Sequence, residues 1–266
     1  MKLISLLARR RPLQLAFALL TWPPLLWAKD APAVLTNAPA APWPPGISTF
    51  PALSDFPGAG PVRTQDWFRT LWIQRRSEWA RDRERDQGAV VFLGDSITQG
   101  WGSLAKDFPD LKVANRGLSG DTTRGVRYRL QDDVIALHPR AVVLLIGTND
   151  LEDGADPELV AVNVKAILAA LRASDPKLPL IVCRVMPSDA SKQRPADKIQ
   201  QINRLVDALV AAEPLGVECD TWGVFADADG NAQLTEFPDL LHPNPAGYAK
   251  WAAALRPLIA KLPLAH

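Results

Sequence analysis

Five short apolar runs, each followed by an amphipathic stretch, constrain this chain more than any other feature. The runs are Ala89 to Leu93, Leu111 to Ala114, Ala141 to Ile146, Leu180 to Val185 and Val217 to Cys219. Helical patterning covers Trp101 to Phe108, Arg124 to Leu137, Pro157 to Ala173, Ala196 to Ala212 and Pro245 to Leu262. Helix starts are marked locally: Asn244 before Pro245 is an N-cap with proline at the first helical position. Strands that alternate with helices need right-handed crossovers. The pattern therefore predicts an α/β domain with a five-stranded parallel sheet covered on both faces. Such a sheet also dictates where chemistry sits, beyond the C-terminal ends of its strands.

The 266 residues, 47% of them hydrophobic, supply enough apolar surface for one such domain with terminal extensions. Residues 1–28 read as a signal peptide: Lys2, Arg9, Arg10 and Arg11 precede the apolar run Leu13 to Leu20, and Ala28 ends the segment. Pro23, Pro24 and Leu26 depart from that pattern, and an uncleaved anchor is the alternative. A spanning helix fits less well, because the run is short and broken by prolines. Cleavage after Ala28 would remove four unpaired positive charges and take the net charge from +1 to −3. The expected location is outside the cytoplasm, periplasmic or secreted, with no membrane span in the mature chain. Neither charge balance calls for a nucleic-acid partner.

Residues 29–63 are dense in proline and read as a flexible or polyproline-like spacer; the interleaved Trp43, Ile47, Phe50 and Phe56 give the alternative that part of this extension lies along the domain surface. Residues 64–88 hold an N-terminal amphipathic helix, patterned from Gln65 to Asp86. Its Trp67, Phe68, Leu71, Trp72 and Trp79 fall on or near one face. Its mixed charges (Arg75, Arg76, then Arg81 to Asp86) read as a solvated face. The remaining residues, 89–266, carry the alternating strands and helices as one domain. Cys183 and Cys219 fall in predicted strands and are expected as free, buried thiols. Without a cysteine framework or a Cys/His cluster, structural zinc is not expected. The Asp227 to Asn231 run has its glycine at the wrong position for a calcium loop and reads as a tight turn.

The strand ends carry a consistent chemistry. The first run stops in Gly94-Asp95-Ser96, the second in Asn115 to Thr123, the third in Gly147-Thr148-Asn149-Asp150, and Asp239-Leu240-Leu241-His242 precedes the last helix. A serine hydroxyl is a weak nucleophile until a base takes its proton, and imidazole suits that task. His138 precedes Pro139 on the opposite edge and His266 is the final residue, which leaves His242 as the base. Asp239, three residues earlier, would hold the imidazole. The Ser96 and Gly120 N–H groups and the Asn149 amide would receive the oxyanion. Taken singly, Asp95 and Ser96 could cap a turn, Gly120 could serve a turn, and Asn149 could cap a helix.

These blocks resemble the SGNH hydrolase superfamily, the GDSL esterase/lipases, over about Ala89 to Leu262. Gly94-Asp95-Ser96-Ile97-Thr98 matches the nucleophile block, with Ile where the family name has Leu. Gly120 in Ser-Gly-Asp-Thr-Thr matches the backbone donor, Asn149 in Gly-Thr-Asn-Asp the amide donor, and Asp239 and His242 the remaining pair. The wording is similar to platelet-activating-factor acetylhydrolase catalytic subunits and to bacterial acetyl esterases. The resemblance implies a three-layer α/β/α, flavodoxin-like fold, no cofactor and no metal. It implies a serine esterase for small acyl esters, acetyl esters of carbohydrate among them. A non-catalytic glycan-binding protein or an acyltransferase on the same fold are the alternatives. Trp101, Arg116 and Arg124 lie near the expected crevice as substrate-binding candidates, Arg116 being equally suited to a structural ion pair. Polar loop residues (Arg116, Asp121, Thr122, Asp153, Asp189) and the lack of a long apolar insertion predict a preference for short acyl groups. Trp43, Phe50 or Phe56 folding over the crevice would overturn that preference.

Overall fold

The computed structural model describes residues 49–264, so the signal-like segment, Trp43, Ile47 and His266 lie outside the described residues. In chain order the elements are α1 (Asp66–Asp86), β1 (Val90–Gly94), α2 (Ser96–Gln99), α3 (Leu104–Asp107), β2 (Val113–Gly117), α4 (Thr123–Asp133), β3 (Ala141–Leu145), α5 (Thr148–Glu152), α6 (Pro157–Ser174), β4 (Leu180–Cys183), α7 (Ala196–Ala211), β5 (Gly216–Cys219), α8 (Thr221–Phe225) and α9 (Pro245–Ile259). The five strands form one parallel sheet in the order β2-β1-β3-β4-β5. The order reverses between β1 and β3, which places a crevice beyond their C-terminal ends.

The period-2 alternation of strand side chains divides the core into two layers. Val91, Leu93, Val142, Leu144 and Val182 face α4, α6 and α7 through Val126, Val164, Ile167 and Ile202. Phe92, Val143, Leu145 and Ile181 face α3, α8 and α9 through Leu104, Phe225, Trp251 and Leu255. Helices on both faces make this the expected three-layer α/β/α fold. Cys183 and Cys219 are register partners on β4 and β5, both free and buried. Burial raises the Cys183 thiol well above its ordinary value.

Two expectations change here. β2 runs on through Asn115, Arg116 and Gly117, beyond the strand end that the apolar pattern predicts at Ala114. Polar side chains are tolerated in this edge strand because each finds a partner: Asn115 Nδ2 donates to Thr98 O at 2.7 Å, and Arg116 Nη2 to Asp86 Oδ2 at 2.8 Å. The charges of α1 are also not all solvated: Arg81, Glu84 and Arg85 are exposed as expected, but three others are not. Arg76, Arg83 and Asp86 are buried in line with Phe68, Trp72 and Trp79. Arg76 Nε meets Asp133 at 2.7 Å, inside the molecule, and breaking such a pair costs about 3–5 kcal/mol. The extension before α1 seals this contact: Phe50 lies 5.2 Å from Trp72, and Phe56 4.6 Å from Tyr128, centroid to centroid.

Candidate active site

The turn after β1 is built so that Ser96 stands at the sheet edge. A side chain on Gly94 would collide with Leu145 O, at 2.4 Å from its β-carbon, so this strand end accepts only glycine. Asp95 caps the single-turn helix α2, its Oδ1 accepting from Ile97 N at 2.9 Å. Burial raises the Asp95 carboxyl to about 6. Other elements pin the same turn: Tyr248 of α9 donates to Ile97 O at 2.8 Å, and Ser119 N donates to Gln99 Oε1 at 2.7 Å.

Ser96 Oγ lies 2.9 Å from His242 Nε2, and His242 Nδ1 lies 2.7 Å from Asp239 Oδ2. The carboxylate dictates the tautomer. A hydrogen on Nδ1 donates to Asp239, leaving the Nε2 lone pair to accept from the serine hydroxyl. Asp239 Oδ1 also accepts from the His242 and Leu241 N–H groups, at 2.8 and 3.1 Å. Partial burial opposes ionisation of Asp239. These hydrogen bonds and the imidazole outweigh it, holding the carboxyl at about 2. The turn places Leu240 at φ 63°, where Ser188 Oγ donates to its carbonyl at 2.8 Å.

Asn149 is buried in α5. Its Nδ2 donates one hydrogen to Asp121 O at 2.9 Å and keeps the second. Gly120, at φ 84°, occupies the preceding turn, where Asp121 N donates to Leu118 O at 3.0 Å. Beneath these groups Arg129 joins the sheet ends. Its Nε meets Asp121 Oδ2 at 2.7 Å, and its Nη2 donates to Gly94 O and Arg116 O at 3.1 and 3.0 Å. The structure therefore brings Ser96, Asp239 and His242 together in one hydrogen-bonded chain, with Gly120 in the loop after β2 and Asn149 in the helix that follows β3. Among the described residues, no group of three or more His, Cys, Asp or Glu could hold a metal ion.

The three substrate-binding candidates lie elsewhere. Trp101 is 2% exposed, stacked on Trp251 at 4.4 Å between centroids, with its Nε1 donating to Asp107 at 2.7 Å. Arg116 is buried against Asp86 and the carbonyl of Asp133, which makes it the structural ion-pair partner. Arg124 holds the extension, donating to Gly60 O and Phe56 O at 3.0 Å each. Phe50 and Phe56 are likewise spent on α1 and α4 rather than on the crevice. Sequence reasoning placed Trp67 on or near the apolar face of α1, but it is 51% exposed, and its ring tip lies 2.6 Å from where a β-carbon on Gly120 would stand. Sequence reasoning missed Arg129 and Arg194. Arg129 was legible, since it shares a helix face with Val126, Leu130 and Asp133.

The model of the GDSL-like Lipase/Acylhydrolase family matches residues 92–250, more than half of the chain. The chain belongs to that family. This acylhydrolase is 29% identical over 198 residues to platelet-activating factor acetylhydrolase IB subunit alpha1 of Pongo abelii, covering 72% of this chain and 84% of that one. Its fold is shared with a GDSL-like lipase of Bacteroides thetaiotaomicron, at TM-score 0.62 and 24% identity over 70% of this chain and 97% of the other. It is shared also with a variant of an acetyl-xylooligosaccharide esterase of Geobacillus Stearmophilus, at TM-score 0.52 and 22% identity over 64% and 94%.

Proposed function

We propose that this acylhydrolase is a serine esterase that removes small acyl groups, acetyl above all, from a carbohydrate or other small alcohol. The observation that carries the reading is the chain from Ser96 Oγ through His242 to Asp239, at 2.9 and 2.7 Å. Neutral His242 takes the Ser96 proton as Oγ attacks the ester carbonyl. Asp239, its carboxyl held below the usual range and therefore ionised at neutral pH, stabilises the imidazolium that forms. Charge on the carbonyl oxygen is met by the Ser96 and Gly120 N–H groups and by the free hydrogen of Asn149 Nδ2. His242 returns the proton to the departing alcohol, and water enters by the reverse sequence to release the acid.

A short acyl group fits the surroundings. The apolar faces of the flanking helices are committed to the sheet, so further methylenes would remain in water and contribute almost nothing. Trp67 supplies one exposed aromatic face beside Gly120, enough for a sugar ring rather than a long tail. The acetyl-releasing name of the Geobacillus neighbour agrees with this substrate class. The basic and apolar pattern of residues 1–28 supports export. A fluorophosphonate probe should label Ser96 and abolish hydrolysis of nitrophenyl acetate, and Ser96→Ala should remove both. Labelling of another serine with activity lost would overturn the assignment. Across nitrophenyl esters, kcat/KM should peak between acetyl and butyryl; a steady rise towards palmitoyl would refute the short-acyl reading.

A further inference from the structure

Arg194 lies in the loop between β4 and α7, outside every sequence block that carries the proposed chemistry, yet it is 1% exposed. Burying a guanidinium is costly unless each of its donors is met. Here they are met almost entirely by α5. Nε donates to Thr148 Oγ1 and O at 2.9 and 3.1 Å. Nη2 donates to Asn149 Oδ1 at 3.2 Å and to Glu152 Oε2 at 2.6 Å, and Nη1 donates to Lys192 O at 2.7 Å. One planar group thus spans both ends of a five-residue helix and the side chain that stands within it.

The consequence for Asn149 is geometric. A carboxamide can be turned over so that its oxygen and nitrogen exchange places, at little steric cost. Arg194 has only hydrogens to offer, so the atom facing it must be Oδ1. On the opposite side the Asp121 carbonyl can only accept, so the atom facing it must be Nδ2, at 2.9 Å. The two contacts fix one orientation, in which the second Nδ2 hydrogen is left for a substrate oxygen. In the flipped orientation an amide nitrogen would face a guanidinium and an amide oxygen would face a carbonyl.

The guanidinium is itself held from outside. Glu152 Oε2 is shared with Arg63, which also meets Asp153 at 2.9 Å. Partial burial favours the neutral form of Glu152, but the hydrogen bonds and charges of Arg194 and Arg63 prevail and keep its carboxyl below the usual range. Arg63 belongs to the segment just before α1, and lies 3.2 Å from where a β-carbon on Gly120 would stand. The segment ahead of α1 therefore connects through Glu152 to the group that orients Asn149.

We infer that Arg194 is a positioning residue that locks the Asn149 amide with its N–H towards the reacting ester. This rests on the reading of Asn149 as an oxyanion donor. It acts only on charge that develops in the transition state, so its loss should appear in kcat and leave KM nearly unchanged.

The test is a double-mutant cycle on nitrophenyl acetate with Arg194→Met and Asn149→Ala, alone and combined. Arg194→Lys serves as a second variant that keeps the charge but cannot span Thr148, Asn149 and Glu152 together. Arg194→Met should lower kcat about ten- to a hundredfold with KM within about twofold, and Arg194→Lys should recover only part of the loss. In the Asn149→Ala background the same changes should have little further effect. Equal proportional losses in both backgrounds would show that Arg194 does not act through Asn149 and would overturn the proposal. If Arg194→Met does not fold, by near-ultraviolet circular dichroism, the Arg194→Lys cycle decides by the same criterion. Unchanged kcat in Asn149→Ala alone would instead remove the donor reading, and the proposal with it.

Discussion

The two arms that flank Ser96 are built in opposite ways. The histidine arm is local and wet: Asp239 and His242 are three residues apart, with side chains 48% and 42% exposed. Its hydrogen bonds, apart from the one to Ser96, mostly close within the turn itself. The amide arm is remote and dry. Asn149 is 2% exposed and is gripped by Asp121, 28 residues before it, and by Arg194, 45 residues after it. Their proposed tasks account for the contrast. His242 must gain and lose a proton in every cycle, and contact with water limits the cost of that changing charge. Asn149 keeps one state throughout, and its dipole is worth most where water is excluded and nothing reorganises.

Removal of either arm tests the comparison. His242→Ala deletes the base and should lower kcat on nitrophenyl acetate by about 10⁴-fold or more, with folding intact because the arm is exposed. Asp239→Asn should cost about as much, since an amide oriented by the same N–H donors no longer stabilises the imidazolium. An Asp239→Asn enzyme within tenfold of wild type would show that the carboxylate merely caps its turn. Asn149→Ala should be less damaging to chemistry, at about 2.7–4 kcal/mol in the barrier and chiefly in kcat. Unlike the other two it should also lower thermal stability, by about 1–3 kcal/mol, because Asp121 O and the Arg194 donors lose their partner inside the molecule.

The same split governs what the sequence made legible. The placement of Ser96, Gly120, Asn149, Asp239 and His242 at one sheet edge could be read because the proposed acyl transfer restricts the residue types and the sheet restricts where they stand. The strand and helix pattern translated into the sheet for the same reason, through the periodicity of apolar side chains. Arg76, Arg83 and Asp86 were misread, and Arg116 was left open between substrate contact and structural ion pair, because a charge is ordinarily solvated. Only partners about 30 or more residues away, such as Asp133 for Arg76 and Asp86 for Arg116, make their burial tolerable. Trp101 shows the converse, since a tryptophan beside the nucleophile turn is claimed by Trp251 in the core. Arg194 gave no signal, because nothing in its local wording points to α5.

The dry side should also reveal itself in the pH dependence of stability. Asp150, fully enclosed next to Asn149, accepts from Thr123 N and Oγ1, yet burial raises its carboxyl to about 7. Its folded value lies above the ordinary carboxyl value of 3.8, so between those two pH values the folded state binds more protons than the unfolded one. Stability from this group is therefore greatest below pH 3.8, falls as pH rises towards 7, and is level above that. Asp150→Asn removes the titration. The melting temperature of the variant, relative to wild type, should rise across that window and then stay constant. A flat difference from acid to neutral pH would show that Asp150 is ionised in the fold.

The smallest expected effect separates backbone from side chain in the exposed arm. Leu240 holds φ 63°, a left-handed conformation that costs an L-residue about 1–2 kcal/mol. Glycine removes that steric cost. It also adds about 0.5–1 kcal/mol of chain entropy to the unfolded state and gives up the partial packing of Leu240 on the α9 layer. These contributions nearly cancel, so Leu240→Gly should melt within a few degrees of wild type. Its kcat/KM should stay within about threefold, because the turn that presents His242 keeps its shape. Leu240→Val replaces one side chain with another but branches at the β-carbon, which the left-handed region tolerates worst. It should lose about 1 kcal/mol or more of stability and more activity than the glycine variant, although it retains more apolar surface. If valine is the better tolerated of the two, side-chain packing and not backbone conformation fixes the histidine arm, and the description of that arm as a self-contained turn fails.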